Sequence, residues 1–186
     1  MHERDPELEV LTEALNRAVA GVGSAHMLEG PAGIGKTTVL AALIDAAGER
    51  GLLTLRVRGS ELERSHPFGG ARRLLASGAA LVGDRSFHGP GAAARAVLED
   101  LGPGRPSVQP EPARARQLGL IAVIGSLCDE HGPLLVAADD AHLLDDPTID
   151  LLTMLCLRLD ELPLVLGVAG PRPSTSPPQR CFGWRR

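Results

Sequence analysis

The sequence predicts an α/β fold in which helices cover both faces of a parallel sheet of about four strands. Short apolar runs alternate along the chain with segments whose apolar residues recur at helical spacing. The run 134–138 is apolar throughout, which is typical of a strand buried on both faces. A glycine-rich stretch joins the first strand to a helix. With 186 residues, 44% of them hydrophobic, the chain is long enough for one sizeable core.

Apolar spacing predicts each element in turn. Leu8, Leu11 and Leu15 recur at helical spacing and predict an opening helix over 6–20. A short strand over 25–29 then runs through the glycine-rich stretch into a second helix. The remaining predicted elements are a strand at 52–57, helices at 67–82 and 113–130, a strand at 134–138, a helix at 147–159 and a strand at 164–169.

Two stretches interrupt this alternation. Ten of the thirty positions in 83–112 are glycine or proline, which predicts an insertion with at most one short helix near 92–101. Residues 171–186 combine prolines with an isolated tryptophan, and we expect them to form a disordered tail. The predicted organisation is therefore one core over 1–170, the insertion within it, and the tail.

Charge and cysteine content exclude several classes of function. The net charge of −4 provides no global positive field, so we expect this segment not to bind nucleic acid directly. Three widely spaced cysteines are too few for a disulfide framework or a four-ligand zinc site, and they favour a reducing cytoplasm. No apolar run approaches the ~20 residues of a membrane-spanning helix, so no membrane association is expected.

The glycine-rich stretch matches a phosphate-binding pattern, G-x-x-x-x-G-K-[ST]. Glycines allow backbone N–H groups to point at phosphate oxygens, and the following helix N-terminus favours negative charge. Lys36, the only lysine in the chain, is placed to reach the β- and γ-phosphates, and the Thr37 hydroxyl is placed to ligate magnesium. The predicted nucleotide-binding residues are Gly30, Pro31, Ala32, Gly33, Ile34, Gly35, Lys36, Thr37 and Thr38.

Two aspartates follow the apolar run 134–138. Asp139 is predicted to reach the magnesium ion, and Asp140 to activate the attacking water. Aspartates also end strands simply to begin a turn or to cap a helix, and that reading suits Asp145 and Asp146 before Pro147. A further hypothesis makes His142 a nucleotide sensor, although a lone histidine in a loop is more often solvated.

These motifs resemble the large ATP-dependent LuxR-type regulators and related STAND proteins, on the AAA+ side of the P-loop class. The resemblance extends over 2 to about 170. It is carried by the opening ERDPEL, the loop LEGPAGIGKTT, the segment 61–75 with its Pro-Phe step, the run LLVAADDAHLLDDPT and the strand LPLVLGVAG. The resemblance implies a three-layer P-loop NTPase fold, Mg-ATP as ligand and nucleotide-dependent self-association. It further implies that Arg4 lies near the adenine and that Arg172 senses the γ-phosphate.

Proteins of that family continue with a fifth strand, a helical lid, a sensor region and a C-terminal DNA-binding helix-turn-helix. We therefore expect a four-stranded sheet without the fifth strand or the lid, and a chain that is a truncated form of such a regulator. DNA binding would belong to the region that a full-length relative adds.

Three functions remain open from the sequence. The preferred one is an ATPase that hydrolyses Mg-ATP slowly, as the switch of a transcription regulator. The second is a module that binds nucleotide without turnover. The third is a small-molecule kinase on the same loop, for which the insertion 83–112 offers only Arg85, Arg95 and Arg105 as lid arginines.

Overall fold

The computed structural model describes residues 5–62, 64–99 and 112–171. Helices and strands alternate over most of this length. In chain order they are α1 (Asp5–Val19), β1 (Ser24–Glu29), α2 (Lys36–Glu49), β2 (Leu53–Arg58), α3 (Gly69–Ala79), α4 (Ala92–Leu98), α5 (Ala113–His131), β3 (Leu134–Asp139), α6 (Asp146–Cys156) and β4 (Leu164–Gly170). Every predicted helix and strand of the core is confirmed, with ends that differ by a few residues.

The four strands form one parallel sheet in the order β1-β4-β3-β2. Among the described residues, β1 and β2 each pair on one side only. The central strands β3 and β4 are buried along their whole length, as the apolar run 134–138 predicted. The register places Arg58 of β2 beside Asp139 of β3, so the ends of these two strands meet at one edge of the sheet.

Helices cover both faces of the sheet, which confirms the α/β class. On one face α1 and α2 pack around Leu15, Leu43 and Leu135, which are almost fully buried. The other face carries α3, α4, α5 and α6 around a larger core that includes Leu74 and Leu155. Burying one such leucine contributes roughly 1.5–3 kcal/mol, so the two apolar layers supply much of the stability.

The helix predicted over 67–82 begins later than expected, at Gly69. Phe68 has φ 63°, in the left-handed region, so it cannot form part of a right-handed helix. Its ring is nevertheless buried in the core, and this explains why apolar spacing included it. The start of α3 is therefore set by backbone conformation rather than by periodicity.

Part of the predicted insertion belongs to the core. Residues 84–87 and 89–91 form short 3-10 helices, and α4 follows them. Ala94 and Val97 of α4 are buried, and a β-carbon at Gly119 of α5 would lie only 2.7 Å from the Ala94 nitrogen. The one short helix expected near 92–101 is thus present and packs closely on α5. Residues 100–111 lie outside the described residues, as does the predicted tail 171–186 from residue 172 onward.

Asp145 caps α6, as its position before Pro147 predicted, and it also fastens α3. Its side chain is buried and accepts hydrogen bonds from the Phe68 nitrogen at 2.8 Å and the Gly70 nitrogen at 2.9 Å. Both the nitrogen and the hydroxyl of Thr148 donate to the same carboxylate. One carboxylate therefore satisfies the backbone donors at the starts of two helices.

Replacing Asp145 with alanine should lower the free energy of unfolding by about 3 kcal/mol or more, because it leaves several buried donors without acceptors. Urea unfolding followed by circular dichroism measures this change. Asp146→Ala is the matched control, since Asp146 is exposed and its loss should cost no more than about 0.5–1 kcal/mol. Equal losses in the two variants would contradict the assignment.

His26, in β1, should make the free energy of unfolding depend on pH. Burial, with the nearby Arg17 guanidinium, lowers the pKa of His26 below its ordinary value of 6.5. The unfolded chain therefore takes up the proton first, and stability falls as pH drops below about 6.5. Thermal unfolding at about pH 7.5 and about pH 5.5 should show a smaller loss in His26→Gln than in the wild type. An equal loss of stability in both proteins would show that His26 does not cause this pH dependence.

Candidate active site at the carboxyl ends of the strands

The glycine-rich loop lies between the end of β1 and the start of α2, as its pattern predicted. Gly33 has φ 79° and Gly35 has φ 92°, and Gly35 stands immediately before α2. Side chains are strained in this left-handed region, so glycine is favoured at both positions. The loop residues are mostly exposed. The helix N-terminus and the N–H groups of the loop are therefore accessible to an anion.

Lys36 lies across this loop. Its Nζ donates to the Gly30 carbonyl at 2.8 Å and to the Pro31 carbonyl at 3.0 Å. Both acceptors belong to the loop itself, so the ammonium group is held beside the glycine-lined turn. A cation in this position can neutralise phosphate oxygens that the loop backbone binds.

Thr37 and Asp139 are 102 positions apart in sequence and in direct contact in the fold. The Thr37 hydroxyl donates to Asp139, at 3.0 Å from Oδ2 and 3.3 Å from Oδ1. Asp139 is buried at the end of β3 and also accepts from the backbone nitrogen of Asp140. The sequence assigned these two side chains to the same magnesium ion, and the fold brings them together.

Asp140 follows in a left-handed conformation, with φ 47° and ψ 43°. Aspartate and asparagine tolerate this conformation better than other residues with side chains. The Asp140 carboxylate is about 29% exposed, so it is accessible to solvent. Asp140 is therefore held at the surface of the site while Asp139 is fixed beneath it.

Arg58 is a site residue that the sequence analysis missed. Its Nε lies 3.0 Å from Asp140 Oδ2 and 3.8 Å from Asp139 Oδ2. The sequence offers little indication of this role, because an arginine at the end of an edge strand is usually a solvated charge. Its position opposite the acidic pair follows from the pairing of β2 with β3, which the sequence did not establish.

Gly59 is the second residue that was missed. Its nitrogen donates to the Asp139 carbonyl at 2.8 Å, and a β-carbon there would lie 2.2 Å from the Asp140 carbonyl oxygen. No side chain fits at that distance without moving the backbone. Gly59 therefore lets the turn after β2 pack directly against the backbone of the acidic pair. This contact helps to hold the Asp140 backbone in place.

The oxygens present here fit a magnesium ion. Mg²⁺ prefers hard oxygen ligands, keeps several waters and binds proteins through one or two carboxylates together with substrate phosphates. The Thr37 hydroxyl and the Asp139 carboxylate supply a donor set of that kind. Within 5–62, 64–99 and 112–171 there is no cluster of three or more histidine, cysteine or acidic side chains that would hold a metal by itself. An ion held by these two side chains would complete its coordination with water and with the phosphates of a bound nucleotide.

Three further assignments have different outcomes. His142 is exposed in the short 3-10 helix Ala141–Leu143, at the same end of the sheet as the acidic pair. A β-carbon at Gly170 would lie 4.0 Å from His142 Nδ1, so His142 stands beside the end of β4. Its sensor role remains a hypothesis. Arg4 and Arg172 lie outside the described residues.

Comparison with protein families agrees with this arrangement. The sequence model of the AAA ATPase domain matches residues 2–167, which is most of the chain. The chain belongs to the AAA ATPase domain family. Membership in this family supports nucleotide binding at the glycine-rich loop. Comparison with curated proteins gave no match. In the part of this AAA ATPase domain that the structure describes, no helix has the length and apolar character needed to span a membrane.

Proposed function

We propose that this AAA ATPase domain binds Mg-ATP and hydrolyses it slowly, as the nucleotide switch of a LuxR- or STAND-type transcription regulator. The observation that carries the proposal is the contact of Thr37 with Asp139 at the mouth of the phosphate loop. A glycine loop alone would support phosphate binding only. The loop, a metal-binding hydroxyl and a buried carboxylate at one strand edge together support binding of a metal-bound nucleoside triphosphate.

Each residue has a defined role in binding. The N–H groups of 30–35 and the start of α2 bind the phosphates, and Lys36 neutralises the β- and γ-phosphate oxygens. Thr37 and Asp139 would hold magnesium, which when bound would supply positive charge that offsets the charge of the phosphates. Because Thr37 donates its proton to Asp139, the lone pairs of its hydroxyl oxygen remain available to a metal ion.

Asp140 is the proposed general base. Its carboxylate accepts a proton from the attacking water as the water oxygen bonds to the γ-phosphorus, and the bond to the β-phosphate oxygen breaks. Asp140 is partly exposed, and Arg58 bonds to one of its oxygens. Arg58 competes with the attacking water for the acceptor positions of this carboxylate, and this competition favours slow rather than rapid turnover.

The regulator assignment rests on the resemblance of the motifs rather than on the site. The acidic stretch with its following Asp-Pro-Thr and the opening ERDPEL support it. In such a switch, ATP and ADP would favour different arrangements of the turn that carries Asp139 and Asp140. Hydrogen bonds of Gly59 and Asp145 connect this turn to the segment before α3. We also propose self-association that depends on the bound nucleotide.

Measuring phosphate release from Mg-ATP separates the three candidate functions. Release above the Lys36→Ala background supports the ATPase. Binding of ATP without any release favours the module that only holds nucleotide. Phosphate that appears on an added hydroxyl acceptor, instead of in solution, would identify a small-molecule kinase and contradict the proposal.

Replacing Arg58 with glutamine should raise the rate of ATP hydrolysis about two- to fivefold. This range corresponds to the ~0.5–1 kcal/mol that an exposed ion pair contributes. The reason is that water then no longer competes with the Arg58 guanidinium for the acceptor positions of Asp140. ATP affinity should stay unchanged, and single-turnover hydrolysis with calorimetric binding measures both quantities. Arg56→Gln is the matched control, because Arg56 lies on the same face of β2 without contacting the acidic pair. A slower Arg58→Gln enzyme would contradict the restraining role.

A further inference from the structure

A groove beside the phosphate loop shares Thr37, Arg58 and Asp139 with the proposed site and extends from it along α2 and β2. This α2–β2 groove lies between α2 and the strands β2 and β3. Its volume is about 350 Å³. Its lining residues are Thr37, Leu40, Ala41, Ile44, Arg56, Val57, Arg58, Ala137 and Asp139. None of the residues 30–36 lines it, so the groove adjoins the proposed magnesium site at Thr37 and Asp139 rather than the phosphate-binding turn.

The packing of α2 explains why this groove is open. Gly167 of β4 faces α2, and a β-carbon there would come within 3.1 Å of Leu43 and 3.2 Å of Leu40. The missing side chain lets α2 lie close over β4, and the groove lies beside this contact, between α2 and β2. In the described part of the chain, Arg56 and Arg58 on that face of β2 remain exposed, whereas Leu55 and Val57 on the opposite face are buried.

The lining is amphipathic along the groove. One wall is the apolar stripe Leu40, Ala41 and Ile44, which recurs at helical spacing on α2. The opposite wall carries Arg56 and Arg58, whose Cα atoms are about 6.6–6.8 Å apart because they are two residues apart on one strand. Arg56 forms no hydrogen bond or ion pair with the residues that the structure describes. Its guanidinium is therefore available to a ligand.

The charge distribution favours an anion at the Arg56 end. The acidic lining residue, Asp139, lies at the other end, where Thr37 and the Asp140 nitrogen already donate to it. Arginine presents a planar set of donors that matches carboxylate and phosphate oxygens. Small-molecule sites commonly combine apolar walls with a few convergent polar groups, as this lining does.

We propose that the α2–β2 groove binds a small amphipathic organic anion. Its carboxylate or phosphate group is bound by Arg56, with Arg58 contributing a second guanidinium. Its apolar body lies on Leu40, Ala41 and Ile44. The groove shares Thr37, Arg58 and Asp139 with the proposed ATPase site, whereas the anion is bound by Arg56 and the apolar wall and requires no nucleotide.

Calorimetric titration of octanoate and octyl phosphate into the nucleotide-free chain tests this site, with octanol as the uncharged probe. At least one of the two anions should bind saturably, and octanol about tenfold or more weaker. Arg56→Gln should weaken anion binding about tenfold or more, and Ala41→Trp should abolish it by filling the groove. Arg114→Gln, which removes an exposed arginine on α5, should leave it unchanged.

Several results would overturn the proposal. These are no binding of either anion by the folded chain, equal binding of octanol and octanoate, or unchanged anion binding in both Arg56→Gln and Ala41→Trp. ATP binding by the same variants provides the separating measurement, because neither residue is assigned to the phosphate or magnesium site. Loss of ATP binding by the wild type would affect the proposed function and leave the groove result intact.

Discussion

Lys36→Ala should weaken ATP binding by about 10- to 100-fold or more. The variant removes a positive charge that Nζ holds beside the loop carbonyls of Gly30 and Pro31. Hydrogen bonds to charged groups contribute about 1.5–3 kcal/mol, and a bound triphosphate offers several such oxygens to one ammonium. Isothermal titration calorimetry with Mg-ATP measures the change directly.

Arg114→Ala is the control for this prediction, because it removes one exposed positive charge far along the chain. Its ATP affinity should equal that of the wild type. Circular dichroism should show both variants folded, since Lys36 is a loop-facing residue outside both apolar cores. Wild-type affinity in folded Lys36→Ala would contradict the assignment of this loop.

Asp140→Asn should reduce the rate of ATP hydrolysis by about 100-fold or more while ATP affinity changes little. A positioned general base contributes typically 10²–10⁴-fold, and an amide cannot accept the proton from water. Asparagine is chosen because it tolerates the left-handed conformation of residue 140, so the backbone turn should be retained. Single-turnover hydrolysis of labelled ATP gives the rate of the chemical step.

Asp146→Asn provides the matched control, since it makes the same change at an exposed aspartate in the first turn of α6. Its hydrolysis rate should be that of the wild type. If Asp140→Asn hydrolyses ATP at the wild-type rate, Asp140 is not the base. If it loses ATP binding as well, its role is in holding the nucleotide rather than in the chemical step.

The sequence was most informative where local pattern and backbone conformation agree. The continuous apolar run before Asp139 predicted a strand buried on both faces, and β3 has that environment. The glycine pattern predicted a turn between a strand and a helix, and Gly33 and Gly35 adopt the left-handed conformation that such a turn uses. Periodicity succeeded in these places because a single segment determines the outcome.

Long-range pairing was outside the reach of the sequence. Arg58 meets Asp140 only because β2 lies beside β3, and strand order cannot be inferred from a single segment. Asp145 was correctly expected to cap α6, but its bonds to Phe68 and Gly70 cross about half of the described chain. The late start of α3 has the same origin. The left-handed backbone at Phe68 is compatible with the hydrogen bond from its nitrogen to Asp145, and the spacing of apolar residues does not indicate that conformation.

The magnesium dependence of ATP binding tests the central claim most directly. ATP is titrated calorimetrically into the wild-type chain, once with magnesium and once with a chelator, and folding is checked by circular dichroism. The arrangement of Lys36, Thr37 and Asp139 predicts saturable binding with magnesium that becomes about tenfold or more weaker without it. A folded chain that binds no ATP under either condition, or that binds equally well without magnesium, would contradict the account.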